Sequence, residues 1–134
     1  MEKKYAVLIV DDDEGMLEMM MDILSEMNFN VAVANDGFKA IEMAKEGTFD
    51  AILMDIRMPG IDGIETLKRI KHIKPFAKII LMTAFTTENN ALDAQKEGAS
   101  AILYKPIDFD KLENVLASST LDTKSKSLYF RYEH

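Results

Sequence analysis

The sequence predicts an α/β protein built on one doubly wound parallel sheet, a (βα)5 arrangement. Five short apolar runs alternate along the chain with five segments of helical period. The apolar runs are continuous, which is typical of strands that are buried on both faces. Residues that start and stop helices fall between the two kinds of segment. This alternation indicates parallel strands joined by right-handed helical crossovers.

The predicted strands are apolar runs of four to six residues. They cover residues 5–10 (YAVLIV), 51–54 (AILM), 79–82 (IILM) and 101–104 (AILY), with 30–34 (NVAVA) as a weaker fifth. A doubly wound sheet of this kind is expected to take the flavodoxin-like strand order 2-1-3-4-5. That order makes the first and third strands neighbours at the point where the strand order reverses.

Five helices are predicted over residues 14–27, 38–46, 63–73 and 88–97 and from Asp108 onward. Side chains that favour helix N-termini precede four of them: Asp36, Asp62, Thr86 or Thr87, and Asp108. Gly47 and Gly98 lie where helices often end in a left-handed residue. The methionines of the first helix, like Phe38 and Phe49, are most simply interpreted as core.

The chain has 134 residues, which is the size of one domain. We predict a domain over residues 1–117, followed over residues 118–134 by a polar linker or tail. The tail begins SSTLDTKSKS and ends LYFRYEH, a segment that is either truncated or foreign to the domain. The sequence shows no internal repeat and no second domain.

Composition and charge exclude several classes of function. The net charge is −7 and the pI is near 4.8, so we expect no nucleic acid binding by this segment. The absence of cysteine excludes disulfides, a cysteine nucleophile and thiolate metal sites. No apolar run approaches the ~20 residues that span a bilayer, and the N-terminus does not resemble a secretory signal. We therefore expect a cytoplasmic protein without a membrane partner.

Polar side chains follow four of the predicted strands. Asp11 and Asp12 come after the first strand, Asp55 after the third, Thr83 after the fourth and Lys105 after the fifth. Open parallel sheets bind ligands at the carboxyl ends of their strands, where the strand order reverses. We therefore expect these side chains to lie along one edge, with Asp11 and Asp12 close to Asp55.

Three carboxylates in one cleft need either a cation or a proton. Two like charges about 4 Å apart repel by about 4 kcal/mol at an effective dielectric constant of about 20. The ligand atoms are hard oxygens, so Mg²⁺ is the expected ion and Mn²⁺ the alternative. Lys105 and the Thr83 hydroxyl suit phosphoryl oxygens, and Asp55 suits the role of nucleophile. The set describes a phosphoryl-transfer site.

Four motifs together resemble the receiver domain of two-component response regulators. They are VDDDEG after the first strand, MDIRMPGIDG around Asp55, TA at Thr83 and Ala84, and YKP at Lys105. The resemblance covers about residues 3–117. Each motif alone is weak, but four motifs in order, at strand ends and with matching spacing, form a strong signal.

The resemblance implies roles for the acidic residues. Asp55 matches the phosphoacceptor, which takes a phosphoryl group from a phosphohistidine on a sensor histidine kinase or a phosphotransfer protein. Asp12 matches the acid that binds Mg²⁺ directly, and Asp11 matches the acid that acts through a metal-bound water. The backbone carbonyl of Arg57 is implied as a further protein ligand.

The resemblance also implies a conformational switch. Thr83 matches the hydroxyl that moves onto the phosphoryl group, and Ala84 matches the small residue that leaves access to the site. Lys105 matches the lysine that pairs with the phosphoryl group and precedes a cis proline. The family often has Tyr or Phe three residues before this lysine, where the present chain has Ile102. We therefore expect the signal to travel through the loop after Thr83 and the helix that follows.

Simpler roles are expected for several other residues. Asp13 and Glu14 are expected to serve only the start of the first helix. His72 is expected to be solvated at a helix end. By the same resemblance, Phe85 and Arg57 flank the site and tune the lifetime of the aspartyl phosphate.

Three other functions remain as alternatives. An electron-transfer flavodoxin would need a hydroxyl-rich loop after the first strand, where this chain has three aspartates. An aspartate-based phosphatase of the haloacid dehalogenase type would use Asp11 and Asp13, but it would have Thr or Val in place of Gly15 and a longer chain. The third is a phosphorylation-independent interaction module of the same fold.

The favoured function is a phosphorylation-dependent signalling switch. It is a regulatory phosphoacceptor, and its only expected chemistry is self-phosphorylation with slow self-dephosphorylation. The expected partner is a sensor histidine kinase or a phosphotransfer protein. Homodimerisation on phosphorylation is common in the family and is implied here only by the resemblance.

Overall fold

The computed structural model describes residues 5–84 and 88–118 of the chain. The strands are β1 (Ala6–Val10), β2 (Asn30–Ala34), β3 (Ala51–Asp55), β4 (Ile79–Thr83) and β5 (Ala101–Tyr104). The helices are α1 (Glu14–Glu26), α2 (Gly37–Glu46), α3 (Gly63–Ile73), α4 (Glu88–Lys96) and α5 (Phe109–Ala117). All ten predicted elements are present, and their ends lie within one residue of the predicted ones.

The strands form one parallel sheet in the order β2-β1-β3-β4-β5, which confirms the predicted fold class. Side chains of the sheet alternate between two cores. Leu8 and Ile52 lie in the core that α2, α3 and α4 cover, whereas Ile9 and Leu53 lie in the core that α1 and α5 cover. Continuous apolar strands require this double cover. Among the described residues, no helix combines the length and apolar character needed to cross a membrane.

Aspartate side chains begin four of the helices, and each accepts a hydrogen bond from a backbone N–H of the first turn: Asp13, Asp36, Asp62 and Asp108. The capping role predicted for Thr86 or Thr87 lies outside the described residues. Gly98 has a φ of +98°, as expected for a left-handed helix end. The same prediction for Gly47 is wrong, because its φ is −111°. Its carbonyl instead accepts a hydrogen bond from Lys74 Nζ at 2.6 Å.

The core predictions are right for Met20, which is fully buried, and for Phe49, which packs against the core. The core prediction is wrong for Met19 of α1, whose side chain is 43% exposed. The prediction for Phe38 is wrong, because its side chain is 55% exposed. Helix α2 buries the face that carries Ala40, and Phe38 lies off that face. Its ring packs against the surface instead, with the Arg69 guanidinium 5.9 Å from the ring centroid. His72 is exposed near the end of α3, as expected.

A buried lysine joins the start of β4 to the end of α5. Lys78 is 7% exposed, and its Nζ donates hydrogen bonds to the carbonyls of Val115 and, at 3.3 Å, of Leu116. These carbonyls belong to the last turn of α5, where a cation also suits the helix dipole. The sequence interpretation did not single out this residue, because one lysine before an apolar run resembles an ordinary charged strand end.

We expect Lys78→Met to lower the free energy of unfolding by about 1–3 kcal/mol, because the Val115 and Leu116 carbonyls would lose a donor in a buried place. Urea denaturation would measure the change. Lys96→Met, at an exposed position on α4, is the matched control and should change stability little. An equal loss in both variants would show that the buried hydrogen bonds do not stabilise the fold.

Candidate functional site

Three acidic residues meet at the carboxyl ends of β1 and β3. Asp11 follows β1 and is fully buried, Asp55 ends β3 and is 8% exposed, and Asp12 lies exposed beside them. One carboxylate oxygen from each residue lies within 4.8 Å of the other two. The register explains the meeting, since Val10 is the Cα partner of Met54 and an aspartate follows each of them. The predicted acidic cluster is therefore present.

Asp11 is held by backbone groups and by Lys105. Its N–H donates to the Ala34 carbonyl at 3.2 Å, which extends the pairing of β1 with β2. Its Oδ1 accepts from the Asp13 N–H at 3.0 Å, and its Oδ2 accepts from Lys105 Nζ at 3.3 Å. Burial raises the pKa of the Asp11 carboxyl despite these hydrogen bonds, and the charge of Asp55 adds to the rise. A cation would therefore stabilise the ionised form of Asp11.

Asp55 accepts one hydrogen bond on each carboxylate oxygen. Its Oδ1 accepts from the backbone N–H of Arg57 at 3.2 Å, and its Oδ2 accepts from Lys105 Nζ at 3.0 Å. Arg57 is exposed, and the group that donates to Asp55 Oδ1 is its backbone N–H. The two hydrogen bonds fix the orientation of Asp55 while part of its surface stays in contact with solvent.

Lys105 links the two most buried aspartates, Asp55 and Asp11. Burial by itself lowers the pKa of the Lys105 ammonium. The hydrogen bonds and charges of Asp55 and Asp11 outweigh that effect and raise the pKa above its ordinary value. Lys105 is therefore cationic at neutral pH. The backbone N–H of Lys105 donates a hydrogen bond to the Thr83 carbonyl at 2.8 Å. The peptide bond between Lys105 and Pro106 is cis, as predicted.

Thr83 lies at the same edge, on the neighbouring strand. It ends β4 one residue beyond Met82, which is the Cα partner of Asp55, and its side chain is buried. Its own Cα partner on β5 is Tyr104. Ala84, which follows, is exposed, in keeping with a small residue that leaves the site accessible. The role of the Thr83 hydroxyl in a switch stays a prediction.

The position three residues before Lys105 is part of the core. Ile102 is fully buried in the cluster that includes Ala94 of α4. Tyr104 is half-buried and is a different position, two residues along the same strand. Phe85, the other residue expected beside the site, lies outside the described residues.

The sequence interpretation missed how closely Gly63 approaches Asp55. A Cβ on Gly63 would lie 2.4 Å from the Asp55 carbonyl oxygen and 2.8 Å from the Ile56 Cα. The Gly63 N–H also donates to the Ile56 carbonyl at 2.7 Å. The start of α3 thus rests on the backbone of Asp55. The available signal was a glycine directly after the Asp62 cap, where better helix formers are usual.

The burial of Asp11 predicts how the metal-free protein depends on pH. A carboxyl whose pKa is raised on folding favours the folded state while protonated, and that contribution is lost as the pH rises through its folded pKa. In EDTA at pH 7 we therefore expect Asp11→Asn to raise the free energy of unfolding by about 1 kcal/mol. The difference from wild type should shrink as the pH falls below the folded pKa of Asp11. Denaturant titrations at several pH values would measure it.

Comparison with known proteins agrees with this geometry. The family model described as "Response regulator receiver domain" matches residues 7–117. Chemotaxis protein CheY of Bacillus subtilis is 40% identical over 109 residues, which are 81% of this chain and 91% of that protein. The transcriptional regulatory protein ZraR of Escherichia coli K12 is 40% identical over 119 residues, which are 89% of this chain. The chain spans about 27% of the length of the ZraR proteins that it matches.

Solved structures show the same likeness. The CheX–CheY–BeF3–Mg²⁺ complex from Borrelia burgdorferi matches with a TM-score of 0.83 and 30% identity, over 88% of this chain and 90% of that chain. Because the receiver family model covers residues 7–117, it replaces the flavodoxin and dehalogenase-type alternatives. The motifs at four strand ends, the cluster that they form and the family match agree: this chain belongs to the response regulator receiver domains.

Proposed function

We propose that this chain is a phosphorylation-dependent switch in which Asp55 accepts a phosphoryl group from a sensor histidine kinase or a phosphotransfer protein. One observation carries the proposal: Lys105 contacts both Asp55 and Asp11, and Asp12 lies beside them. One lysine cannot neutralise three clustered carboxylates, so the cluster keeps an excess of negative charge. The excess negative charge does not stabilise the fold. A site that binds a cation and a phosphoryl group, however, requires it.

The transfer is a substitution at phosphorus. A carboxylate oxygen of Asp55 forms the new P–O bond while the P–N bond to the donor imidazole breaks, and the imidazole keeps the electron pair and takes up a proton. Lys105, whose Nζ is 3.0 Å from Asp55, is suited to balance the charge of the phosphoryl oxygens. The Thr83 hydroxyl is suited to donate a hydrogen bond to one of them. In the slow hydrolysis, water attacks phosphorus, the P–O bond to Asp55 breaks, and the free carboxylate and inorganic phosphate are released.

The acidic cluster suits a hard divalent cation. Asp11, Asp12 and Asp55 offer carboxylate oxygens, and the Arg57 backbone carbonyl would complete the protein's share of the ligands. Mg²⁺, or Mn²⁺ in its place, would offset the repulsion among the carboxylates and polarise the phosphoryl group when bound. The similar CheY of Borrelia burgdorferi has been crystallised with BeF3 and Mg²⁺, which supports a magnesium site here.

Incubation with acetyl phosphate tests the proposal. In Mg²⁺ buffer we expect the intact mass to rise by one phosphoryl group, on a bond that is stable in acid and labile in base. With EDTA in place of Mg²⁺ we expect no increase, because the carboxylates then repel the anionic donor. Labelling at full yield in EDTA would contradict the metal's role. No labelling by any small donor or by a phosphorylated kinase would favour the phosphorylation-independent module.

The extent and setting of the switch are part of the same proposal. We infer that residues 1–117 are the receiver and that residues 118–134 are a linker or tail. Regulation by a sensor kinase in the cytoplasm and homodimerisation on phosphorylation rest on likeness to the family. The net charge of −7 supports a receiver segment that does not itself bind nucleic acid.

The route of the signal is proposed from the burial of Ile102. An aromatic side chain that turns inward is absent at that position, and Ile102 already fills its place in the core. A shift of Thr83 would therefore act through the backbone that follows it and through α4, which packs on the same core by way of Ala94.

A further inference from the structure

A groove between α2 and α3 is basic, although the whole chain carries a net charge of −7. Its volume is about 570 Å³. Apolar and cationic side chains line it together: Phe38, Ile41, Ile73, Lys45, Lys68 and Arg69. Glu65 also lines it and pairs with Arg69 at 3.0 Å. The lining therefore holds three lysine or arginine side chains against one acid.

The side chains of this groove are exposed to solvent. Phe38 is 55% exposed and Ile73 is 39% exposed, so two large apolar side chains of one groove face solvent. Lys68 and Arg69 are about half exposed in their contacts with Glu97 and Glu65. Ion pairs this exposed are weak, so both cations can exchange their partners at little cost. The groove suits an acidic helix that also presents an apolar side chain.

Helix α1 has that chemistry. Its exposed acids recur at every fourth residue and form one ridge: Glu14, Glu18, Asp22 and Glu26. No lysine or arginine occurs within the helix, and Met19 is 43% exposed next to the ridge. The Debye length is about 8 Å at physiological ionic strength, so salt screens the long-range repulsion between two acidic copies. The short-range attraction between the acidic ridge and the basic groove is then larger than the screened repulsion between the two copies.

We propose that α1 of one copy docks in the α2–α3 groove of a second copy. The acids of the ridge pair with Lys45, Lys68 and Arg69, and Met19 packs against Phe38. Helix α1 covers one face of the sheet, and α2 and α3 cover the other. The contact is therefore head to tail, and it leaves a free groove and a free ridge at the two ends of each assembly. Association should be weak and should grow with concentration without stopping at a dimer.

Sedimentation velocity over a range of concentrations tests this contact, with charge reversal on each side. We expect the wild-type chain to show an average mass that rises with concentration. Lys68→Glu with Arg69→Glu reverses the groove, and Glu18→Lys with Asp22→Lys reverses the ridge. Each pair alone should weaken self-association by about tenfold or more. An equimolar mixture of the two variants should regain the wild-type behaviour, because the basic ridge of one variant then faces the acidic groove of the other.

Asp93→Lys with Glu113→Lys is the control for net charge, because both residues are exposed and lie outside ridge and groove. It should associate as the wild type does. The proposal fails if the wild-type chain stays monomeric at every concentration, or if the mixture stays monomeric while circular dichroism shows both variants folded. It also fails if either reversed variant associates as strongly as wild type, since the contact would then lie on another face.

Discussion

The Asp55→Asn protein should take up no phosphoryl group from acetyl phosphate in Mg²⁺ buffer, under conditions that label the wild-type chain fully. An amide oxygen is a far weaker nucleophile than a carboxylate, so the P–O bond does not form. The fold should persist, because the amide oxygen can still accept the hydrogen bond from the Arg57 N–H that the wild-type Oδ1 accepts at 3.2 Å. Intact-mass spectrometry would measure the yield.

Asp22→Asn is the matched control for this loss. It makes the same chemical change at an exposed position of α1, outside the cluster, and should be labelled as the wild type is. Thermal unfolding in EDTA provides a second readout, because Asp55→Asn removes one charge from a repelling cluster and should not lower stability. If Asp55→Asn is labelled at the wild-type yield, another residue is the phosphoacceptor and the assignment is wrong.

Gly63→Ala should destabilise the fold by about 1–3 kcal/mol, although alanine is the better helix former. Its Cβ would lie 2.4 Å from the Asp55 carbonyl oxygen and 2.8 Å from the Ile56 Cα, and both are backbone atoms that cannot rotate away. Either α3 moves outward or the end of β3 shifts. A shift of β3 would displace the Asp55 carboxylate from Lys105, so Mg²⁺-dependent labelling by acetyl phosphate should slow as well.

Gly15→Ala is the control, because Gly15 also lies in the first turn of a helix but is exposed. A Cβ there would meet only the Asp13 side chain, at 3.3 Å. We expect its stability to match or exceed that of the wild type, and its labelling rate to be unchanged. Urea denaturation and the rate of phosphoryl incorporation would be compared for both variants. Equal stability of the two would mean that the approach of α3 to Asp55 is less tight than 2.4 Å implies.

Local patterns in the sequence determine the fold and the membership of the site. Apolar runs without alternation require helices on both faces of the sheet, and the order β2-β1-β3-β4-β5 is one of the common strand orders of such doubly wound sheets. Because the carboxyl ends of parallel strands share one edge, the strand order together with the position of Asp11, Asp55 and Lys105 at strand ends predicts that they lie along that edge. Aspartate caps at helix starts are equally local and equally predictable.

Contacts between distant parts of the folded chain determined several features that the sequence patterns did not predict. Phe38 is a large aromatic residue that is expected in the core, yet α2 buries the face that carries Ala40, and Phe38 lies exposed beside Arg69. Lys78 and Gly63 act through atoms that lie far along the chain or in another element, the carbonyls of α5 and the backbone of Asp55. Such contacts depend on how helices and strands pack against one another. The types and spacing of residues do not determine the distances between packed elements.

The acidity of the chain illustrates both kinds of information. The sequence by itself determined that Asp11, Asp12 and Asp55 converge and need a positive charge. Only the tertiary structure decided how that charge is shared, with Lys105 Nζ at 3.0 Å from Asp55 and 3.3 Å from Asp11. Only the tertiary structure also brought Lys45, Lys68 and Arg69 together in the groove between α2 and α3, whereas the acids of the α1 ridge already recur at every fourth residue of the sequence. The physical reason is that electrostatic energy depends on distance and burial, which folding creates.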